Sequence, residues 1–226
     1  MKCSVCSNEI NEKYCSTCGQ YFKSERISTR SILTDLFGNL FSLEKSFCKN
    51  IKIGLFQPDV LVTNYWNGFR AYYYSPSKFL VIASLFFLIQ ITVFNKFFGI
   101  FVSSKFAQQF SILIIIILVL SFFSFITYLK HKKSFYEHLI LNIYNVSLWS
   151  IIFVPISMIL NLLNSHKTIE TGFIILYLLL IIAWNSKVFE MNKFKRFIYV
   201  ALNCILLVVV PFLIYKIFGT SLILFE

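Results

Sequence analysis

Five apolar stretches dominate the hydropathy pattern of the chain, at residues 79–95, 110–129, 139–163, 173–188 and 197–217. The second holds twenty residues without a charge, the length a helix needs to cross roughly 30 Å of hydrocarbon. The first and fourth are short for that task and reach it by borrowing residues from Pro76 onward and from Thr171 onward. Pro155 and Pro211 fall inside the third and fifth stretches, where a missing N–H and a ring clash predict kinks. The pattern predicts an all-α membrane protein whose residues 79–226 form a bundle of about five transmembrane helices.

The pattern ahead of residue 79 is different. Leu33, Leu36, Leu40, Leu43, Phe47, Ile51 and Leu55 recur three or four apart, with Arg30, Asp35, Glu44, Lys45, Lys49 and Lys52 around the rest of the turn. That is helical amphipathicity, and Pro58 ends it because the residue before a proline avoids helical geometry. Such a helix lies in the headgroup plane of a bilayer or packs onto the ends of the membrane helices. Residues 59–78 carry Tyr65, Trp66, Arg70 and Tyr72–Tyr74, an interfacial mixture of flat aromatic bodies and snorkelling cations. Asn67-Gly68 signals a turn, and Ser75-Pro76 signals a helix start with proline at its first position. Residues 25–78 therefore read as an amphipathic, interfacial helical segment.

The first 24 residues contain chemistry of another kind. Cys3-Ser4-Val5-Cys6 and Cys15-Ser16-Thr17-Cys18 are two Cys-x-x-Cys knuckles, and each aims two sulfurs at one point. Cys3, Cys6, Cys15 and Cys18 together supply the four thiolates of a closed, tetrahedral structural zinc site. Gly19 stands where the second knuckle must bend, and Lys2 and Lys13 flank the thiolate charge. Two disulfides or a redox pair use the same residues, but a thioredoxin-like motif needs a following βαβ pattern that the chain lacks. So short a ribbon has almost no apolar core, and the metal must supply its folding free energy, about 10–16 kcal/mol in zinc-finger peptides. Without zinc it is expected to be a disordered tail.

Composition and charge sharpen this reading. The chain is 58% hydrophobic, with 27 Phe and a mean hydropathy of +0.74, above the roughly 45–50% apolar share of soluble domains. A net charge of +11 raises the question of nucleic acid, yet ten Lys and Arg precede residue 79 and eleven follow it, and six acidic residues dilute the first group. A solvated, bilayer-facing surface accounts for that spread, and nucleic-acid binding is not expected. The N-terminus lacks the apolar run of a signal peptide, which assigns residues 1–78 to the cytoplasm. Lys130, Lys132 and Lys133 lie in one connection and Lys187, Lys193, Lys195 and Arg196 in another, against Lys96, Lys105 and Lys167 in the opposite loops. The positive-inside bias then gives N-terminus in and C-terminus out.

Within the spans the conspicuous polar residues are Glu137, His138, Asn142 and Asn145, the last three at i, i+4 and i+7 on one helix face. That face must meet partner helices or a wet cavity, because an unpaired polar group in hydrocarbon is costly. One reading is a polar site open to the cytoplasm, lined by Arg70, Glu137, His138, Asn142 and Asn145. The other is interhelical hydrogen bonding with a Glu137–Arg70 ion pair at the interface. No Asp, Glu, Lys or Arg sits in the middle of a span, which disfavours ion-coupled transport. No nucleophile-and-base, zinc-protease or P-loop pattern occurs, so an enzyme is not expected. Cys48 and Cys204 stand alone and read as packing residues.

These features together resemble a bacterial domain-of-unknown-function family of zinc-ribbon, multi-pass membrane proteins. The resemblance rests on the Cys-x-x-Cys and Cys-x-x-Cys-Gly-Gln pair ending at Gln20 and on the acidic and aromatic stretch from Asp35 to Phe47. It rests also on Pro58, Tyr65, Gly68-Phe69-Arg70, Tyr73 and Pro76, and on Glu137-His138-Leu139. It implies an inner-membrane location and a zinc ribbon, with no assigned activity. A closed zinc knob on a membrane bundle points to a non-catalytic adaptor or scaffold whose ribbon binds a protein partner. The alternative is a transporter or lipid-handling protein acting through Arg70, Glu137, His138 and Asn142.

Overall fold

The computed structural model describes residues 2, 3, 6–10, 13–18, 22, 27, 28, 47–69, 73–94, 96, 97, 100, 101, 106–163 and 167–222. Among them the chain is helical: α1 (Phe47–Phe56), α2 (Pro58–Trp66), α3 (Pro76–Phe94), α4 (Phe106–Thr127), α5 (Phe135–Leu162), α6 (Lys167–Lys187) and α7 (Lys193–Leu222). A two-residue antiparallel hairpin, β1 (Lys96–Phe97) with β2 (Ile100–Phe101), joins α3 to α4. A single 3-10 turn, Leu129–His131, joins α4 to α5.

Local chemistry sets these boundaries. Gln57 interrupts the helix ahead of Pro58, as expected, but Pro58 then occupies the first turn of α2, where a proline's missing N–H is no loss. α2 falls inside residues 25–78, the stretch expected to be helical and interfacial, although its aromatics carry no period that marks its bounds. Gly68 adopts φ 90 and ends α2, with the Phe69 N–H on the Asn64 carbonyl at 2.9 Å and the Gly68 N–H on Tyr65 at 3.2 Å. This is a Schellman stop, and its glycine position needs a left-handed backbone. α3 begins at Pro76, as the Ser75-Pro76 signal predicts. α5 begins on a capping box: Ser134 Oγ accepts from the Glu137 N–H at 3.3 Å, and Glu137 Oε2 accepts from the Ser134 N–H at 2.7 Å. α5 and α7 run on through Pro155 and Pro211 as continuous helices.

α3 to α7 alternate in direction around α5. Its residues 140–151 are buried without interruption, so α5 is the core of the bundle. Ser124 of α4 meets His138, Tyr177 of α6 meets Ser150, and Gln90 of α3 meets Ser157. Together with Asn185 at the end of α6 on Asn145 near the start of α5, and Tyr74 just ahead of α3 on Tyr144, these pairs set α4 and α6 antiparallel to α5 and α3 parallel to it. The outer faces are apolar. Leu85, Ile89 and Val93 form a stripe on α3, Ile115, Leu118 and Phe122 on α4, Ile175 and Leu179 on α6, and Leu202, Ile205 and Val208 on α7, all exposed. Against the five expected spans, two helices, α3 and α5, are long and apolar enough to cross a membrane among the described residues. α4 and α6 are apolar over the shorter stretches Leu113–Thr127 and Gly172–Lys187.

α1 and α2 pack across one end of this bundle. Trp184 Nε1 donates to the Leu55 carbonyl at 2.6 Å, Trp66 Nε1 to the Glu137 carbonyl at 3.0 Å, and the Tyr74 N–H to Asn50 Oδ1 at 3.0 Å. Of the two readings of the amphipathic stretch, packing onto the helix ends describes Phe47–Phe56; its earlier residues, 29–46, lie outside the described ones. The approach is close at Gly54, where a Cβ would stand 3.0 Å from Leu148 Cδ2 and 3.3 Å from Leu61 Cδ2. Gly54→Val is therefore expected to destabilise the protein by about 1–3 kcal/mol through overpacking. Gly54→Ala is expected to cost far less, since gained helix propensity offsets the smaller clash. Thermal unfolding of the two variants in the same detergent checks the difference.

Candidate functional site

The two cysteine knuckles close on one point. Cys3 Sγ lies 3.5 Å from Cys18 Sγ, Cys6 Sγ lies 3.5 Å from Cys15 Sγ, and all four sulfurs fall within 4.8 Å of one another. The sulfurs are too far apart for disulfides, whose S–S bond is about 2.05 Å. They are spaced as a tetrahedral ion with metal–sulfur bonds of about 2.3 Å requires, which sets its S···S edges near ~3.8 Å. The described cysteines can therefore hold a metal ion through four thiolates, with no position left for water or substrate.

Backbone geometry builds the clamp. The first knuckle turns through Ser7 at φ 62, with the Ser7 N–H on the Cys3 carbonyl at 3.0 Å and the Cys3 N–H on Asn8 at 2.8 Å. Lys2 pairs antiparallel with Glu9, and Asn8 Nδ2 donates to Thr17 Oγ1 at 2.7 Å, so one side chain ties the two knuckles together. The Cys18 and Thr17 amides hold the Cys15 thiol down at about 6. The Asn8 amide pulls Cys6 the same way, but burial and the neighbouring thiols outweigh it and leave Cys6 raised. Cys15 is thus a thiolate at neutral pH ahead of metal binding. Gly19, the expected bend of the second knuckle, lies outside the described residues.

The ribbon's own apolar core is as small as expected, and it is completed from outside the ribbon. Cys3, Ile10 and Cys15 are buried together with Phe69, and Phe22 packs on them. Phe69 comes from the connection after α2, forty-seven positions beyond Phe22 in the chain. The two pair as an antiparallel bridge, with ring centroids 5.5 Å apart. The Gly68 turn delivers this ring, and the ribbon is seated on the helical body by a residue from outside it. The periodicity gave no sign of this, because a lone Phe after a turn carries no pattern.

The polar line of α5 is brought into one hydrogen-bonded cluster. His138, Asn142 and Asn145 are fully or almost fully buried. Ser124 Oγ and His138 Nδ1 are 2.9 Å apart, and Asn142 Nδ2 donates to the His138 carbonyl at 3.0 Å. Asn185 of α6 joins both asparagines, donating to Asn142 Oδ1 at 2.8 Å and accepting from Asn145 Nδ2 at 2.6 Å. Asn185 was not singled out from the sequence, although an Asn one turn from the end of an apolar stretch is the kind of residue that crosslinks helices. Asn185→Ala breaks two interhelical bonds and strands two buried amides. It is expected to destabilise the bundle by about 2 kcal/mol, measured by unfolding in mixed micelles.

Glu137 finds partners close to it in the chain. Its carboxylate takes Lys133 Nζ at 3.1 Å and caps α5 through Ser134. The Ser-x-x-Glu spacing from Ser134 to Glu137 signals this cap in the sequence, and local bonds three and four residues away satisfy the acid. Arg70 lies outside the described residues. Around this end of the bundle cations rest on aromatic faces: Lys133 over Trp66 at 4.6 Å, Lys187 over Trp184 at 3.6 Å and Lys78 over Tyr74 at 5.1 Å. No family model, curated protein or solved structure matches the chain.

Proposed function

We propose that the chain is an integral membrane adaptor whose zinc ribbon binds a protein partner at the cytoplasmic face of the inner membrane. The observation that carries this reading is the closed set of four thiolates at the end of the bundle where the cations gather. A four-thiolate site is suited to holding a shape, because every coordination position is filled by protein. Zinc is the ion that best fits tetrahedral sulfur ligation in a reducing compartment.

In this reading α3 to α7 are the five spans. Their exposed apolar stripes support it, since so much contiguous apolar surface is stable only against lipid. The ribbon, α1, α2, the 3-10 turn and the α6–α7 connection share one end with Lys130, Lys132, Lys133, Lys187, Lys193, Lys195 and Arg196. Under the positive-inside bias that end is cytoplasmic and the C-terminal end of α7 faces outward. Aromatic–cation pairs at Trp66, Trp184 and Tyr74 mark the headgroup level. The interhelical hydrogen bonds that join Asn142, Asn145 and Asn185 support a packing role for these residues rather than a transport route.

Affinity purification from native membranes tests the adaptor reading. A defined partner is expected to co-purify with the zinc-loaded chain and to be lost from a chain carrying Cys15→Ser and Cys18→Ser that still inserts in the membrane. An unchanged set of co-purifying proteins after zinc loss would defeat it.

A further inference from the structure

At the ribbon end, between α2, the 3-10 turn and the start of α7, the structure holds a cavity of about 800 Å³. Lys130, Lys187, Lys195 and Arg196 line it with permanent positive charge, against two carboxylates, Asp59 and Glu190. Among the described residues neither carboxylate stands in an ion pair with these cations; the ion pair there is Lys133 with Glu137, outside the cavity. The wall therefore keeps an excess of two positive charges that the protein does not neutralise itself. Arg196 Nε is buried and has no hydrogen-bond partner among the described residues. A buried guanidinium donor left unsatisfied costs free energy, unless a ligand accepts from it.

The remaining lining suits an oxyanion. Tyr199 offers a hydroxyl and Asn192 an amide, whereas the Thr63 hydroxyl is already given to the Asp59 carbonyl. The first turn of α7 begins at Lys193 beside the cavity, and its free N–H groups favour negative charge. His131 also lines the cavity; burial lowers its pKa, so it is a neutral donor there at pH 7 and adds no charge. A volume of this size takes a small molecule or one lipid headgroup and is too small for a folded partner or a nucleic-acid strand. A guanidinium among lysines, with a hydroxyl and an amide, is the donor set that recognises phosphate.

We propose that this cavity binds a phosphomonoester anion, carried either by an anionic phospholipid headgroup or by a small soluble phosphoester. This site is independent of the metal centre and of the ribbon's partner.

The test uses the full-length purified protein in a nonionic detergent with three probes: dioctanoyl phosphatidic acid, glycerol 3-phosphate and dioctanoylglycerol. The first two share the headgroup phosphate, and the third has the chains without it. Saturable binding of phosphatidic acid alone identifies a lipid site, and comparable binding of glycerol 3-phosphate identifies a soluble ligand; either supports the proposal. Arg196→Gln is expected to weaken binding at least about tenfold, the loss of one charge-assisted hydrogen bond. Lys195→Gln, at an exposed side chain whose loss leaves the fold intact, is expected to weaken it several-fold, whereas Lys52→Gln on α1 leaves it unchanged. Binding of neither phosphate probe, equal binding of dioctanoylglycerol, or unaltered affinity in both Arg196→Gln and Lys195→Gln would overturn the proposal.

Discussion

A chain carrying Cys15→Ser and Cys18→Ser is expected to bind no zinc, the ion proposed for the clamp, and to lose with it the folded state of the ribbon. Two of the four sulfurs that lie within 4.8 Å of one another disappear, and a hydroxyl is a poor zinc ligand beside two thiolates. Metal binding and folding are a single event in ribbons of this length, so the loss removes about 10–16 kcal/mol of apparent folding free energy. The helical bundle should survive, because its core of Phe79, Phe87, Leu141, Tyr144 and Tyr177 contains no part of the clamp. Circular dichroism should therefore change little, while metal analysis falls to background and limited proteolysis cuts the first residues. Acid should mimic the substitution. Protons compete with the metal for the clamp thiolates, at higher pH for Cys6 than for Cys15, so metal affinity is expected to fall progressively as the pH is lowered, read as metal retained after dialysis across a pH series.

Phe69→Ala is expected to be the next largest effect, read as zinc affinity although the residue touches no metal. Its ring, 7% exposed, shares a small core with Cys3, Ile10 and Cys15, and meets the Phe22 ring at a tilt across the bridge. Truncating a buried aromatic costs about 3–5 kcal/mol. Because this core forms only when the metal binds, about 3 kcal/mol of that cost appears as a roughly hundredfold weaker zinc affinity. Competition with a chromophoric chelator measures it directly. Phe69→Leu, which keeps most of the apolar volume, should recover most of the affinity. Equal affinities in wild type and Phe69→Ala would mean that the ribbon folds without the helical body.

What the sequence makes legible follows from the range of each interaction. The cysteine clamp reads directly, because Cys-x-x-Cys fixes its own geometry within four residues. The helix starts at Pro76 and the turn at Asn67-Gly68 read directly for the same reason. α2 lies within the stretch expected to be helical, but its packing does not read from the sequence, since Tyr65 and Trp66 look interfacial until Leu61 and Val62 are seen buried against α5 and α6. Charge pairing points from Glu137 to Arg70, which lies outside the described residues, while the nearer Ser134 and Lys133 engage the acid locally. Asn185 and Phe69 lay beyond reach for a different reason. Each acts through contacts with residues forty or more positions away, and no periodicity reports such a contact. The cationic cavity is of the same kind, assembled from α2 and two loops that the sequence showed only as separate charge clusters.

The central claim is that the clamp and the cation-rich loops lie together on the cytoplasmic side of a bundle buried in lipid. Membrane-impermeant thiol labelling of intact cells tests it, in a background with Cys48→Ser and Cys204→Ser. Lys132→Cys lies in the exposed turn at the ribbon end, and Leu163→Cys lies at the exposed far end of α5. The account predicts that Leu163→Cys labels in intact cells and that Lys132→Cys labels only after lysis. Labelling of Lys132→Cys in intact cells, with Leu163→Cys silent, would contradict it.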